Sequence, residues 1–444
     1  MTYFKTAWHN SALKRLFNFK SEEAKGRSCM LASAVLSGIV TNITGGIFYT
    51  GYLVQYGITI INIGILTFIP FIATGFSLLS PMILERLPRR KKILAASRMV
   101  SYSIKILGII LLPHIVHSEG GRNIGFALIV FSASAINSLF SAGWSVWHIN
   151  FLPESMRADY FNVSSAVANL IVGIITLLGA LMTDALAGSE HHIRIITVLY
   201  IIGFLFAVLD VAALSLPKEY EYERSVGKNS GLINTIRLAF GQKKFMLTMY
   251  IMFGYTFASN LTASVINVHL LENVEVSYTF VTGVNSSYFL FFLLFGTAAK
   301  KLIARFAWFK TFAIAVLLLL PTYFMYAFVD NGNYHWLMLI VRLTQHFLGV
   351  MIAITYANFP YINLPPGDRT NYMSFYAVFI NLAALLAMLI GTGFVSRFGE
   401  RSLELFGKQL GSIQMLMLIT GLLLSLLAVV VLRWIPRITP DENG

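Results

Sequence analysis

This chain of 444 residues is 57% hydrophobic and only 12% charged, with a mean hydropathy of +0.71. A soluble domain carries roughly 25% charged residues, so the composition predicts a polytopic helical membrane protein instead. The single cysteine, Cys29, excludes a disulfide framework and a cysteine metal site. The net charge of +13 would suggest nucleic-acid binding in a soluble protein, but in a membrane protein it bears on topology, and we expect no nucleic-acid partner.

The amino-terminal segment, residues 1–28, is basic and carries scattered apolar residues such as Trp8, Leu16 and Phe17. It contains no apolar core of the kind found in a cleavable signal peptide. We therefore expect a basic amphipathic helix on the cytoplasmic surface of the membrane.

Apolar runs long enough to span a bilayer, which takes about 20 residues, recur about twelve times along the chain. In chain order, these predicted spans 1 to 12 lie near residues 29–52, 60–84, 93–115, 124–147, 163–186, 194–216, 245–270, 277–299, 311–329, 336–360, 373–395 and 411–434. The sequence thus predicts an all-α fold with a first six-helix bundle at 29–216 and a second at 245–434. Between the bundles we expect a charged cytoplasmic linker at 217–244, and after them a cytoplasmic tail at 435–444.

The distribution of Lys and Arg predicts the orientation of these spans. Most of them fall in loops on the side of the amino terminus, and the opposite loops hold only about five. Both termini are therefore expected in the cytoplasm of a multi-pass protein of the plasma (inner) membrane. The loop at 396–410 is then the only sizeable external one.

One loop pattern, Leu-Pro-x-x-x-Arg-x-[Asp/Asn]-Tyr, occurs twice, at 152–160 and at 364–372. We call it the duplicated motif. The copies lie between spans 4 and 5 and between spans 10 and 11. A shorter match, Thr41-Asn42-Ile43-Thr44 against Ser259-Asn260-Leu261-Thr262, falls in spans 1 and 7. Two matches at corresponding places indicate that the second half of the chain repeats the first, as two pseudo-symmetric bundles.

Each position of the duplicated motif has a physical role to play. The prolines are expected to stop the preceding helix, and the arginines to lie just past its carboxyl end, where the helix dipole favours a cation. Asp159 and Asn371 are expected to cap the following helices. The prolines and arginines are Pro153, Pro365, Arg157 and Arg369.

The loop between spans 2 and 3 carries a second motif, Pro81-Met82-Ile83-Leu84-Glu85-Arg86-Leu87-Pro88-Arg89-Arg90. With the two sixfold halves and the charged linker, it resembles the major facilitator superfamily, whose loop reads close to Gly-x-Leu-Ala-Asp-Arg-x-Gly-Arg-Arg. Here both glycines are prolines. The resemblance implies that Glu85 takes the role of the family's acid, which locks this loop in one transport state. Together with Glu85, the expected gating residues are Arg86, Arg89, Arg157 and Arg369.

The same resemblance implies a secondary transporter, either a symporter or an antiporter, in which spans 1, 4, 7 and 10 line a central cavity. We therefore searched these spans for polar residues at helical spacing. Four stripes result: Asn42 and Tyr49; Ser134, Asn137, Ser141, Trp144 and His148; Asn260, Ser264 and Asn267; Arg342, Gln345, His346 and Tyr356. The predicted substrate ligands are Arg342, Gln345, His346, Asn42, Asn137, Trp144, Asn260 and Tyr356. Polar bonding between helices is the alternative role for any one of them.

Charged residues inside spans are costly and mark functional sites. Arg342 lies in span 10, and a guanidinium binds a carboxylate or phosphate bidentately, so we expect an organic anion as the substrate. The alternative is a neutral sugar, a glycoside or an amphipathic drug-like compound. For ion coupling, the candidates are His346, whose imidazole titrates near neutral pH, together with Lys105 and Asp210.

No phosphate-binding loop, metalloprotease motif or nucleophile elbow is found, so the sequence does not predict an enzyme, a resident cofactor or a metal site. The predicted function is alternating-access transport, driven or facilitated, of a small polar solute by a monomer in the lipid bilayer. A membrane protein of the same architecture that does not transport is the alternative from another class.

Overall fold

The computed structural model describes residues 16–17, 21–84, 87–149, 151–152, 154–187, 189, 191–219, 221, 232–364, 369–399 and 401–438. Within these residues, ten helices are long and apolar enough to cross a membrane. They coincide with predicted spans 1 to 6 and 9 to 12. The predicted all-α polytopic membrane fold is thus confirmed.

The helices are numbered here in chain order. Their bounds are α1 Glu22–Ile43, α2 Gly46–Gln55, α3 Ile60–Ala73, α4 Ser80–Leu84, α5 Lys91–Tyr102, α6 Gly108–Ile115, α7 Glu119–Ile149, α8 Glu154–Ala185, α9 His192–Ser215, α10 Leu232–Gly241, α11 Lys243–Asn260, α12 Ile266–Val268, α13 Tyr278–Ser286, α14 Tyr288–Phe306, α15 Trp308–Leu317, α16 Leu319–Ala327, α17 Tyr334–Ile362, α18 Arg369–Phe398 and α19 Ser412–Ile438. A 3-10 helix, Thr74–Leu79, joins α3 to α4, and π-helical turns at Ser103–Leu107 and His269–Asn273 follow α5 and α12.

Predicted spans 7 and 8 are interrupted helices. In span 7, α11 ends at Asn260, five residues of turn follow, and α12 starts at Ile266. In span 8, α13 ends at Ser286 and α14 starts at Tyr288. Interrupted helices in membrane proteins expose backbone polar groups, and they recur where a polar solute binds.

The chain divides into two compact units. Unit 1 comprises residues 1–58 and 73–226, and unit 2 comprises residues 59–72 and 227–444. Residues 59–72, the first part of α3 and the residue before it, therefore belong to unit 2, whereas the sequence predicted them in the first bundle. Gly64 explains this grouping, because a Cβ there would lie 2.6 Å from the Thr392 hydroxyl oxygen of α18.

Each unit has its own apolar core. In unit 1 the core gathers Leu16, Trp147 and Phe151, all fully buried. In unit 2 a larger core centres on Phe312 and Phe359, whose rings meet edge to face at 4.9 Å. Each of these aromatic side chains buries roughly 150–250 Å² of surface. In both units this burial stabilises the end where the duplicated motif lies.

The expected caps of the duplicated motif are wrong. The helices after the motif begin at Glu154 and Arg369, so Asp159 and Asn371 lie within them and not before them. The arginines likewise lie in the first turns of these helices and not at the end of the preceding ones.

One further expectation needs correction. The first helix begins at Glu22, capped by the Ser21 hydroxyl, which accepts from the Ala24 amide at 3.1 Å, so the end of the expected surface segment belongs to span 1. The loop predicted to be external contains an antiparallel hairpin, β1 Leu403–Leu405 and β2 Lys408–Leu410. Its turn is closed by Gly407 at φ +74°, a conformation that glycine adopts without strain.

Candidate functional site

The two matched tetrapeptides stand at corresponding interruptions of the first helix of each half. In unit 1, α1 ends one residue after Asn42, and α2 starts at Gly46 with φ +51°. In unit 2, α11 ends at Asn260 itself. Each asparagine donates to the carbonyl oxygen four residues earlier, Asn42 at 2.9 Å and Asn260 at 2.8 Å. In both units, the asparagine side chain thus donates a hydrogen bond to a backbone carbonyl oxygen in the last helical turn before the interruption.

The interruption in unit 2 is held by α18. A Cβ on Gly391 would lie 1.9 Å from the Leu261 carbonyl oxygen, so only glycine permits this approach. The Ser264 and Thr392 hydroxyl oxygens are 2.9 Å apart and form a buried hydrogen bond. These contacts fix the turn between α11 and α12.

A cavity of about 180 Å³ opens beside this turn, entirely within unit 2. It is smaller than the roughly 300–1,000 Å³ of drug-sized sites and suits a small solute. Its wall is mostly polar and comes from α11 to α13, α16 and α17. The polar wall residues are Ser259, Thr262, Asn267, Asn285, Tyr323, Tyr326, Arg342 and Gln345.

Arg342 organises the polar wall of the cavity. Its Nη2 donates to Asn285 Oδ1 at 2.6 Å, and its Nη1 donates to Gln345 Oε1 at 3.0 Å. Gln345 Nε2 in turn donates to the Thr322 hydroxyl at 3.3 Å. Because both amide oxygens accept from the arginine, their orientation is fixed and the guanidinium is held against the wall.

The charge of Arg342 has no counter-ion in the part of the chain that the structure describes. No carboxylate there forms an ion pair with it, and its Nε is buried without a hydrogen-bond partner. Neutral amides orient a guanidinium but leave its charge uncompensated. A cation without a counter-ion attracts an anion.

His346 lies next to Gln345 in sequence but does not line this cavity. Its Nε2 donates to the Val284 carbonyl oxygen at 2.8 Å, and its ring contacts Tyr288 and Phe291. This contact ties α17 to α13. The roles of His346 in binding and in ion coupling stay predictions.

The other predicted ligands are not among the residues that line the cavity of unit 2. Asn42 and Asn137 are exposed. Trp144 is buried in the core of unit 1, where its ring meets Trp147 edge to face at 5.6 Å. The Tyr356 hydroxyl shares a 2.5 Å hydrogen bond with Thr256. Packing accounts for Trp144 and helix bonding for Tyr356, and their roles as ligands stay predictions.

Asp210, a candidate for ion coupling, is fully buried in unit 1 and accepts from three side chains. Arg98 donates from Nε and Nη2, each at 2.8 Å, the Tyr102 hydroxyl donates at 2.8 Å, and the Ser33 hydroxyl at 2.5 Å. The Arg98 guanidinium also lies 5.5 Å from the Trp144 ring centre. This network joins α1, α5, α7 and α9 around the Asp210 carboxyl group.

Lys105, also a candidate for coupling, lies in the π-helical turn Ser103–Leu107 and is half-buried. No hydrogen bond or ion pair links it to another described residue. Such turns recur at functional sites.

Of the expected gating residues, Arg89 is fully described. It donates to Glu221 Oε1 from Nη2 at 2.7 Å, and both side chains are exposed. Glu85 and Arg86 lie outside the described residues, as do the side chains of Arg157 and Arg369. Their gating roles stay predictions.

Two groups of residues were missed in the sequence. Asn285, Tyr323 and Tyr326 lie in spans 8 and 9, and the search covered only the four spans implied by the resemblance. Arg98 lies within span 3, where only Lys105 was singled out. A search for every charged or amide side chain inside a span would have found Arg98 and Asn285.

The chain is a multi-pass helical membrane protein whose second unit encloses a polar, cationic cavity. It belongs to the Major Facilitator Superfamily: the model of that family matches residues 30–363 and 248–444. It is therefore a transporter of small solutes. No curated protein sequence matches the chain.

Solved structures of the same fold have low sequence identity. A crystal structure of the nucleoside transporter NupG is 11% identical with a TM-score of 0.62, covering 93% of this chain and 99% of that one. The E. coli fucose:proton symporter FucP is 16% identical with a TM-score of 0.54, covering 93% and 98%. A bacterial metal transporter is 13% identical with a TM-score of 0.62, covering 92% and 98%.

Proposed function

We propose that the chain transports a small organic anion, which the Arg342 guanidinium binds in the cavity of unit 2. The observation that carries this proposal is a cation without a counter-ion, held in place by Asn285 and Gln345. A carboxylate or phosphate supplies the missing charge, and the wall hydroxyls of Tyr323 and Tyr326 are available to its neutral part.

Transport follows alternating access, with Arg342 facing the solute in each cycle. The bias of Lys and Arg supports cytoplasmic termini in a plasma-membrane protein. The segments carrying Glu85, Arg157 and Arg369 would then close the cytoplasmic side. Transport coupled to an ion through His346, Lys105 or Asp210, and transport without coupling, both stay open.

A neutral hydroxylated solute is the second candidate. Asn267, Asn285 and the two wall tyrosines suit sugar or nucleoside hydroxyls, and NupG and FucP are named for a nucleoside and a sugar. The two candidates differ in their dependence on charge. Loss of the guanidinium should weaken anion binding strongly but leave most of the binding of a neutral solute.

The test is thermal unfolding of the purified protein with carboxylates, phosphate monoesters, sugars and nucleosides, followed by counterflow in proteoliposomes. We expect an anion to raise the unfolding temperature by mass action. Arg342→Gln should weaken that anion roughly 10- to 150-fold, the equivalent of about 1.5–3 kcal/mol for a charged hydrogen bond. The matched control is Arg397→Gln, because Arg397 is an exposed arginine of α18.

Two outcomes contradict the proposal. One is an anion whose binding and flux are the same in Arg342→Gln as in the unmodified protein. The other is stabilisation by neutral solutes alone, which would favour the second candidate.

A further inference from the structure

The duplicated motif ends in a tyrosine, and in each unit this tyrosine is buried against the segment that precedes the first helix. Tyr160 is 2% exposed and Tyr372 is 4% exposed. A buried tyrosine usually has a partner for its hydroxyl. The Tyr372 hydroxyl finds one in the backbone of the preceding segment, whereas the Tyr160 hydroxyl finds one at the start of α1 and its ring contacts the segment before that helix.

In unit 1, the Tyr160 hydroxyl donates to the Arg27 carbonyl oxygen at 3.3 Å, and its ring lies 5.9 Å from the Phe17 ring. Arg27 is 5% exposed and bridges two parts of the chain. Its Nε donates to the Leu16 carbonyl oxygen at 2.8 Å, and its Nη1 donates to the Phe151 carbonyl oxygen at 3.1 Å. Leu16 itself is fully buried in the core of the unit.

In unit 2, the Tyr372 hydroxyl donates to the Leu238 carbonyl oxygen of α10 at 3.5 Å. The Tyr372 ring meets Phe245 edge to face at 5.0 Å. One turn further along α18, Phe375 meets Phe240 of α10 at 5.7 Å. The amphipathic helix α10 is thereby packed on the start of α18.

The two arrangements match in register as well as in type. Arg27 and Phe245, which the two tyrosines contact, lie fifteen residues before Asn42 and Asn260, the asparagines at the helix interruptions. The contacting groups differ, a backbone carbonyl in one unit and an aromatic edge in the other. What the duplication has kept is the tyrosine and its place.

We propose that the duplicated motif is a docking site for the segment that precedes each bundle: Tyr160 holds the amino-terminal segment, and Tyr372 holds the linker helix α10. The partner of each motif is thus a part of the same chain. The docked segment and the motif loop then form one body at that end of the unit, and the amino-terminal segment is integral to unit 1.

Limited trypsin digestion of the full chain in detergent micelles tests this. Cleavage of a docked segment needs local opening, so its rate follows the population of the open form. Tyr160→Ala should speed cleavage after Arg27 about tenfold and leave cleavage after Arg237 of α10 unchanged, and Tyr372→Ala should do the reverse. The controls Tyr160→Phe and Tyr372→Phe keep the buried ring and should stay near the unmodified rates.

A second pair of variants approaches from the segment side, in case the tyrosine variants fold poorly. Phe17→Ala should speed cleavage after Arg27, and Phe240→Ala should speed cleavage after Arg237. The proposal is overturned if cleavage at the matching site is unchanged in both variants of a pair. It is equally overturned if every variant speeds cleavage at both sites together, since the effect is then a general loosening of the fold.

Discussion

The buried ion pair of unit 1 gives the sharpest quantitative prediction. Asp210 is fully buried and Arg98 is 16% exposed, and the carboxylate accepts four hydrogen bonds from three side chains. Asp210→Asn removes the negative charge and leaves the guanidinium buried without a counter-ion. Breaking a buried pair in this way costs about 3–5 kcal/mol.

The double variant Arg98→Met with Asp210→Asn distinguishes the energy of the ion pair from the energies of the other contacts of its two residues. Removing both charges leaves no buried ion, and apolar replacement of buried pairs is often neutral. We expect the double variant to recover most of the stability lost by Asp210→Asn, although the Ser33 and Tyr102 hydroxyls each lose a charged acceptor. The coupling energy between the two sites should exceed about 1 kcal/mol.

Thermal unfolding of the purified protein in one detergent is the assay. For a unit of this size, about 3–5 kcal/mol corresponds to a fall of roughly 6–20 °C in the unfolding temperature. The reasoning is refuted if Asp210→Asn unfolds within about 2 °C of the unmodified protein, or if the losses of Asp210→Asn and Arg98→Met simply add in the double variant.

The remaining predictions concern the backbone and one surface pair. Gly391→Ala should destabilise by about 3 kcal/mol or more, because its Cβ meets the Leu261 carbonyl, whereas Gly393→Ala, with open space around it, should be neutral or stabilising in the same unfolding assay. Gly46→Ala should reduce the free energy of unfolding by about 1–2 kcal/mol through the positive φ at this position, since no atom lies near the added Cβ. A stability equal to that of the unmodified protein would contradict this and show that the backbone of the turn relaxes. The hydrogen bond to Glu221 raises the pKa of Arg89, whose ordinary value already lies far above neutrality. Any stabilisation by this pair is therefore present at all pH values below that range and is lost only as the pH rises through the raised pKa; Arg89→Gln should leave the pH dependence of unfolding between pH 6 and 9 unchanged.

The spans were predictable because apolar length is a property of the chain itself. Runs such as 411–434 need no partner to be recognised, and the structure places α19 there. The interruption after Asn260 was not predictable in the same way. It depends on the Leu261 carbonyl meeting Gly391, a residue more than a hundred positions away.

The same distinction applies to the cavity. Arg342 and Gln345 are three residues apart on α17, so their shared face followed from helical spacing. Asn285 completes the group from another span, and which span packs against α17 is decided by tertiary contacts. Spacing also predicted that His346 would line the cavity beside Gln345. Instead the His346 ring bonds to the Val284 carbonyl oxygen and is not part of the cavity wall.

Arg98 and Asp210 show why a charge inside a span is ambiguous when only the sequence is known. Asp210 alone suggested ion coupling, since an isolated carboxylate in a membrane is costly. In the structure Asp210 is paired with Arg98 and also accepts from Ser33 and Tyr102, so packing within unit 1 accounts for its burial without a role in coupling. Arg342 differs in the respect that matters for function: the groups that bind it are neutral amides, not a carboxylate.

This difference between Arg98 and Arg342 indicates which of the two arginines is the better candidate for binding the solute. The charge of Arg98 is already neutralised by Asp210 within unit 1, so Arg98 is not expected to bind a charged substrate. Arg342 lies beside an interrupted helix, and its charge has no partner among the described residues. If the proposed function is right, Arg342 is the arginine whose replacement should change which solute binds.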